Sequence, residues 1–228
     1  MPARRRDVRL VRADAAPYNT TRWRSVGPLN LAGRIRTLAM DPHDPGGGAP
    51  FVIYAGAASG GVFRTRDAGR SWQSVWPEDQ ASLSIGAIAI GRSGGTSTIW
   101  VATGEKEKTA SSGVWRADIP ADPAAPLVFA QVGTVAQMAG GGAVPEGLEA
   151  AAVDPNDREH CWFVGPQGVY ARNAAGWRQA DLGRPYADVK FVQSGALRYV
   201  VLARADTDWG DLVIVPDPDT ITSADLQT

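Results

Sequence analysis

The chain has 228 residues, 44% apolar and 21% charged, with a formal net charge of −1. That near-neutral balance removes nucleic acid as the default partner, because phosphate binding needs a surplus of Lys and Arg on one face. A single cysteine, Cys161, and two distant histidines, His43 and His160, exclude an internal disulfide framework and the usual zinc-ligand spacings, so no cofactor or metal is expected.

The remaining composition favours strands. The 26 glycines, 16 prolines and 8 tryptophans make a turn-rich, aromatic-rich chain, unlike a helical bundle. No apolar run approaches the ~20 residues that span a bilayer. Residues 1–20 carry Arg4, Arg5, Arg6, Arg9 and Arg12 and read as a basic, disordered arm. No apolar stretch of the roughly 7–15 residues found in a secretory signal follows them, so a cytoplasmic location is expected.

Beyond the arm, residues 21–27 read as a lone strand. Four similar units follow, at about 33–77, 84–133, 148–183 and 187–216. Each of the first three opens on an apolar segment: Ile35 to Met40, Ile85 to Ile90, Leu148 to Val153. In the first and third units that segment runs into an Asp-Pro turn, Asp41-Pro42 and Asp154-Pro155. A β-branched and aromatic strand comes next, then Gly61-Val62-Phe63-Arg64, Gly113-Val114-Trp115-Arg116 or Gly168-Val169-Tyr170-Ala171, then a strand bearing an aromatic residue. The fourth unit supplies three strands before a polar tail, 217–228. Four short strands recurring at a fixed period describe propeller blades. The predicted fold is therefore all-β: a β-propeller of four-stranded antiparallel blades, about four in number. Either strand 21–27 closes the ring as the fourth outer strand, or the chain is an incomplete larger propeller whose edge is open to a partner chain.

One segment is more specific. Thr65-Arg66-Asp67-Ala68-Gly69-Arg70-Ser71-Trp72 has the form [ST]-x-D-x-G-x-[ST]-W. Asp67 can accept N–H groups within a hairpin turn, Gly69 can take positive φ, and Trp72 can bury its indole against a neighbouring blade. This segment resembles the Asp-box of the bacterial neuraminidase repeat. The stretch from Trp23 to Val75 resembles the opening blade of sortilin-like and sialidase-like repeat proteins, through Trp23-Arg24-Ser25-Val26-Gly27-Pro28, Gly33-Arg34-Ile35 and Gly60-Gly61-Val62-Phe63-Arg64-Thr65. The resemblance implies that Thr65, Asp67, Gly69, Ser71 and Trp72 form a structural turn away from the central channel.

It also invites a glycosidase reading. Sialidases use three arginines with a tyrosine nucleophile. Arg34-Ile35 sits where they carry Arg-Ile-Pro, but Arg36 follows here. The paired carboxylates of other glycosidases have candidates in Asp79, Glu105, Glu146 and Asp208, which sequence cannot pair. Gly91-Arg92-Ser93-Gly94-Gly95 imitates a nucleophile elbow but leads into a strand rather than a helix. Cys161 and its neighbour His160 would point to opposite sides of a strand.

On this register the longest irregular segments, Gly27 to Arg34, Glu105 to Ser112, Gly133 to Gly147 and Asp206 to Gly210, gather on one face, and loops on a rigid scaffold are where binding concentrates. Arg34, Glu105, Lys106, Glu146, Tyr186, Asp208 and Trp209 are the candidate binding residues, Trp209 standing out as an aromatic in a polar loop. The expected function is a non-catalytic binding or scaffold module facing a protein partner. The alternatives are a glycan-binding or glycan-cleaving propeller, and an oligomeric assembly subunit completed by strand addition.

Overall fold

A computed structural model of the chain describes residues 34–41, 52–77, 82–105, 109, 111–122, 124–140, 146–182, 184–194, 197–205 and 211–216. The expected arm, strand 21–27 and tail lie outside them.

Alternation of apolar and polar residues drives these segments into sheets, each buried on a face that meets its neighbour. The first sheet joins β1 (Ile35–Met40), β2 (Ile53–Ala57), β3 (Gly61–Thr65) and β4 (Gln73–Ser74). The second joins β5 (Ile85–Ser93), β6 (Thr96–Thr103), β7 (Val114–Ile119) and β8 (Ala130–Gly133). The third joins β9 (Ala150–Val153), β10 (Cys161–Gly165), β11 (Gly168–Asn173) and β12 (Gly176–Leu182), and the fourth β13 (Tyr186–Ser194), β14 (Leu197–Arg204) and β15 (Leu212–Pro216). Every sheet is antiparallel with its strands in chain order. The leading strands pack in succession, β1 on β5, β5 on β9, β9 on β13. Four antiparallel sheets stacked through their leading strands make a propeller-like fold.

Three interleaved cores hold the stack. Tyr54, Val62 and Trp76 of the first sheet and its exit meet Ile88, Ile99 and Phe129 of the second. Trp100, Val114 and Met138 meet Cys161, Phe163, Tyr170 and Trp177. Trp162, Val164 and Val169 meet Val189, Val200, Leu202 and Val213. In β10 the alternation is plain: Cys161 and Phe163 face the second sheet while Trp162 and Val164 face the fourth. The first, second and fourth sheets also share a register shift at the same place in the leading strand, between Ile35 and Thr37, Ile85 and Ala87, and Tyr186 and Asp188. A bulge there bends each leading strand near its start.

Two local readings are corrected. The Gly133 to Gly147 segment, expected to be irregular, contains a short helix, α1 (Val135–Ala139). Its capping box is complete: the Gln137 amide donates to Thr134 Oγ1 at 3.2 Å and the Thr134 amide to Gln137 Oε1 at 2.9 Å. Trp72 packs on Ala55, Ala57 and Phe63 of its own sheet. The indole between the first and second sheets is Trp76, edge-on to Trp115 with centroids 6.0 Å apart and tilted against Phe129 at 4.9 Å. Trp76 lies two residues beyond β4, so the chain leaving the outer strand carries it across to the next sheet. Among the described residues no helix is long and apolar enough to cross a membrane.

Candidate functional site

Strand direction fixes which residues share an end of the stack. Ile35 opens β1 opposite Ala57, Ile85 opens β5 opposite Thr103, and Tyr186 opens β13 opposite Arg204. The segments after β2, β6, β10 and β14, and those between sheets, therefore emerge together. Arg34, Glu105, Glu146 and Tyr186 all lie at this end. Lys106, Asp208 and Trp209, and the carboxylate candidate Asp79, lie outside the described residues.

The structure brings two of these together with one that sequence reasoning passed over. Glu105 is buried, and its Oε1 accepts from Arg34 and forms an ion pair with Arg36 Nη1 at 3.0 Å. Arg34 precedes β1 and Arg36 sits at the register shift between Ile35 and Thr37, and from there both guanidiniums reach the same carboxylate. The two arginines flanking Ile35 were the available signal. Two guanidiniums on one carboxylate leave the cluster positive, and half of the Arg34 side chain stays in solvent.

A polar scaffold supports the cluster. Glu105 and Thr109 exchange backbone hydrogen bonds of 2.7 and 2.9 Å. Just before them in the chain, the buried Thr103 hydroxyl donates to the Gly113 carbonyl at 2.8 Å and accepts from the Ser112 amide at 2.9 Å. The Ser111 amide donates to the Glu146 carbonyl at 2.9 Å, and the Glu146 amide to Gln167 Oε1 at 3.0 Å. Glu146 is thus fixed by its backbone at the junction of the second and third sheets, with its carboxylate exposed. Tyr186 is elsewhere in kind: it is fully buried in the core between the third and fourth sheets, so its ring is not presented at this end.

The opposite end carries the Thr65 to Trp72 turn. Asp67 Oδ1 accepts from the Ser71 amide at 2.8 Å and from the Thr65 hydroxyl at 2.9 Å, while Oδ2 accepts from the Ser71 hydroxyl at 2.7 Å. The Gly69 amide donates to Thr65 Oγ1 at 2.9 Å. Ala68 and Gly69 both take positive φ, 57° and 82°, which is why a residue without a side chain follows Ala68. The Ser71 hydroxyl and amide, and then the Thr65 hydroxyl, hold the Asp67 carboxyl down at about 2. All of these bonds to Asp67 are made within the turn itself.

Further charge lies between sheets. Glu159 accepts from Arg116 and Arg172 at 2.9 Å each, and both guanidiniums stand over the buried Trp100 ring, 5.5 and 5.3 Å from its centroid. Asp118 accepts from Thr98, Arg158 and Arg116. Burial works against its charge, but the Thr98 hydroxyl and the Arg116 guanidinium outweigh that and keep its pKa below the usual carboxylate value. Burial pushes the Cys161 thiol well up, which removes it as a thiolate nucleophile. Among the described residues no group of three His, Cys, Asp or Glu side chains could hold a metal ion.

No protein-family model matches the chain, and no curated protein does. Solved structures do match. One, an ancestral GH74 enzyme, aligns over 83% of this chain with a TM-score of 0.54 and 16% sequence identity. The match covers 25% of that enzyme's chain, so this chain spans a quarter of its length. At that identity the likeness concerns the fold, which in that enzyme is a β-propeller.

Proposed function

We propose that the chain is a non-catalytic β-propeller binding module whose loop-bearing end engages a protein partner. The observation that carries this reading is the Arg34–Glu105–Arg36 cluster. The buried carboxylate at that end is neutralised by two guanidiniums, an arrangement suited to fixing a surface and presenting positive charge. In this reading Arg34, Glu105, Lys106, Glu146, Asp208 and Trp209 supply the contact surface, and the Thr65 to Trp72 turn is an Asp-box that locks the far end. A cytoplasmic setting goes with it. The second reading, glycan binding or cleavage, draws support from the likeness to a glycoside hydrolase propeller.

A panel of chromogenic glycosides and polysaccharides, with a glycan array alongside, separates the two. The binding-module reading expects no turnover and no retained glycan. Hydrolysis that is abolished by Glu105→Gln or Glu146→Gln would establish the other reading. For an identified protein partner, Trp209→Ala and Arg34→Ala should each weaken binding.

A further inference from the structure

The repeat places an arginine at the same point of the first two sheets. Arg64 pairs with Tyr54 in the first and Arg116 with Trp100 in the second, so each lies beside an aromatic residue packed in the core against the following sheet. The second arginine is answered by carboxylates. Arg116 donates to Glu159, at the entry to the third sheet, at 2.9 Å, and to Asp118 of its own strand at 3.1 Å.

The first sheet has neither partner in the matching place. Arg66 stands two residues beyond Arg64, where Asp118 stands two beyond Arg116, so a like charge replaces an opposite one. Ser97 stands three residues before Trp100, as Glu159 stands three before Trp162, and Ser97 donates to Asp41 at 3.1 Å. Arg64 is nevertheless only 5% exposed. Its Nη2 donates to Gln73 Oε1 at 3.2 Å, and its buried Nη1 makes no hydrogen bond. Among the described residues no carboxylate forms an ion pair with it. Arg64, Arg66 and Asp41 all act on the Tyr54 hydroxyl, so two cations stand there against one anion. A desolvated guanidinium met only by neutral groups is costly, because no Coulomb attraction offsets its lost hydration. Gln73 lies on β4, the outer strand of its sheet, and both residues of that strand are exposed. Moving its amide aside costs one neutral side-chain hydrogen bond, less than a charged pair returns.

We propose that an acidic side chain of a protein partner completes this site, displacing the Gln73 amide and pairing with Arg64 as Glu159 pairs with Arg116. The approach is over an exposed strand edge, which suits a glutamate or aspartate carried on another chain. The site adjoins the Thr65 to Trp72 turn, at the far end from the loop-bearing surface, and does not depend on that surface being used.

Binding of a fluorescent glutamate-rich peptide to the full chain, followed by anisotropy, tests the proposal. The peptide is expected to bind, and acetate at the same carboxylate concentration is expected not to displace it. Arg64→Met should weaken binding about tenfold or more, the scale of one hydrogen bond to a charged group. Gln73→Glu supplies a carboxylate from within the chain. It should weaken peptide binding and raise the melting temperature without peptide, and the rise should vanish when Arg64→Met is added. Circular dichroism checks each fold, and if Arg64→Met fails to fold the two readouts of Gln73→Glu decide. No binding by the parent, equal binding by Arg64→Met, displacement by acetate, a Gln73→Glu variant unchanged in either readout, or a rise that persists without Arg64 would each overturn the proposal.

Discussion

Asp154 is fully buried at the foot of β9, where its carboxylate accepts from Arg198 at 2.8 Å and from the Asn156 amide at 2.7 Å. Asp41 holds the matching place below β1 and accepts from Ser97 at 3.1 Å. Ser97 and Arg198 are each the second residue of the following sheet's second strand. Asp41 and Asp154 therefore staple consecutive sheets together. Asp154→Ala removes an acceptor from two donors, one of them charged. We expect it to lower unfolding free energy by about 1–3 kcal/mol in a urea titration. Asp67 makes a different, pH-dependent prediction. Its folded pKa of about 2 lies below the ordinary 3.8, so the unfolded chain binds the extra proton in that interval. Its contribution is present above the ordinary value and is lost as pH falls towards the folded one. Melting temperature followed through that acid window should fall more steeply for the parent than for Asp67→Asn.

At the scale of the element, the contact that sets the spacing of the second and third sheets is Trp177 on Gly133. Gly133→Ala would drive a methyl into the indole and force either the ring or β8 to move. Over-packing of this kind costs about 1–3 kcal/mol, readable by denaturation together with a shift of tryptophan emission. Trp100 is the matching wedge from the other side, its ring held by two guanidiniums. Trp100→Ala is expected to cost about 3–5 kcal/mol, the range for removing a buried aromatic from a core. Strands were largely legible because period-2 patterning and Gly-led repeats are local signals. The Gly133 to Gly147 loop was misread although Thr134 and Gln137 stand in capping-box spacing, since so short a helix carries no periodicity. Tyr186, a candidate binding residue in the sequence, is fully buried in the structure. The bulge just after it turns the ring into the core.

For the whole molecule, the order of the sheets could be read from repetition, but the forces between them could not. Glu105 meets Arg34 across 71 positions, Ser97 meets Asp41 across 56, and Arg158 meets Asp118 across 40. Nothing in a single sequence links such pairs. What the repeat does dictate is that each sheet is stable only through its neighbours, as in other nearest-neighbour arrays. The indoles report this directly. Trp76 donates to the Ser82 carbonyl at 3.0 Å, Trp100 to Arg158 at 3.0 Å and Trp177 to Val132 at 2.7 Å, the last two crossing from one sheet to the next. Hydrogen exchange of the assigned indole N–H groups by NMR is the measurement that bears most closely on the radial stack. The account predicts that Trp100 and Trp177 exchange only with global unfolding, slowed together to the same opening free energy. Exchange of either indole at the rate of a free tryptophan would contradict it.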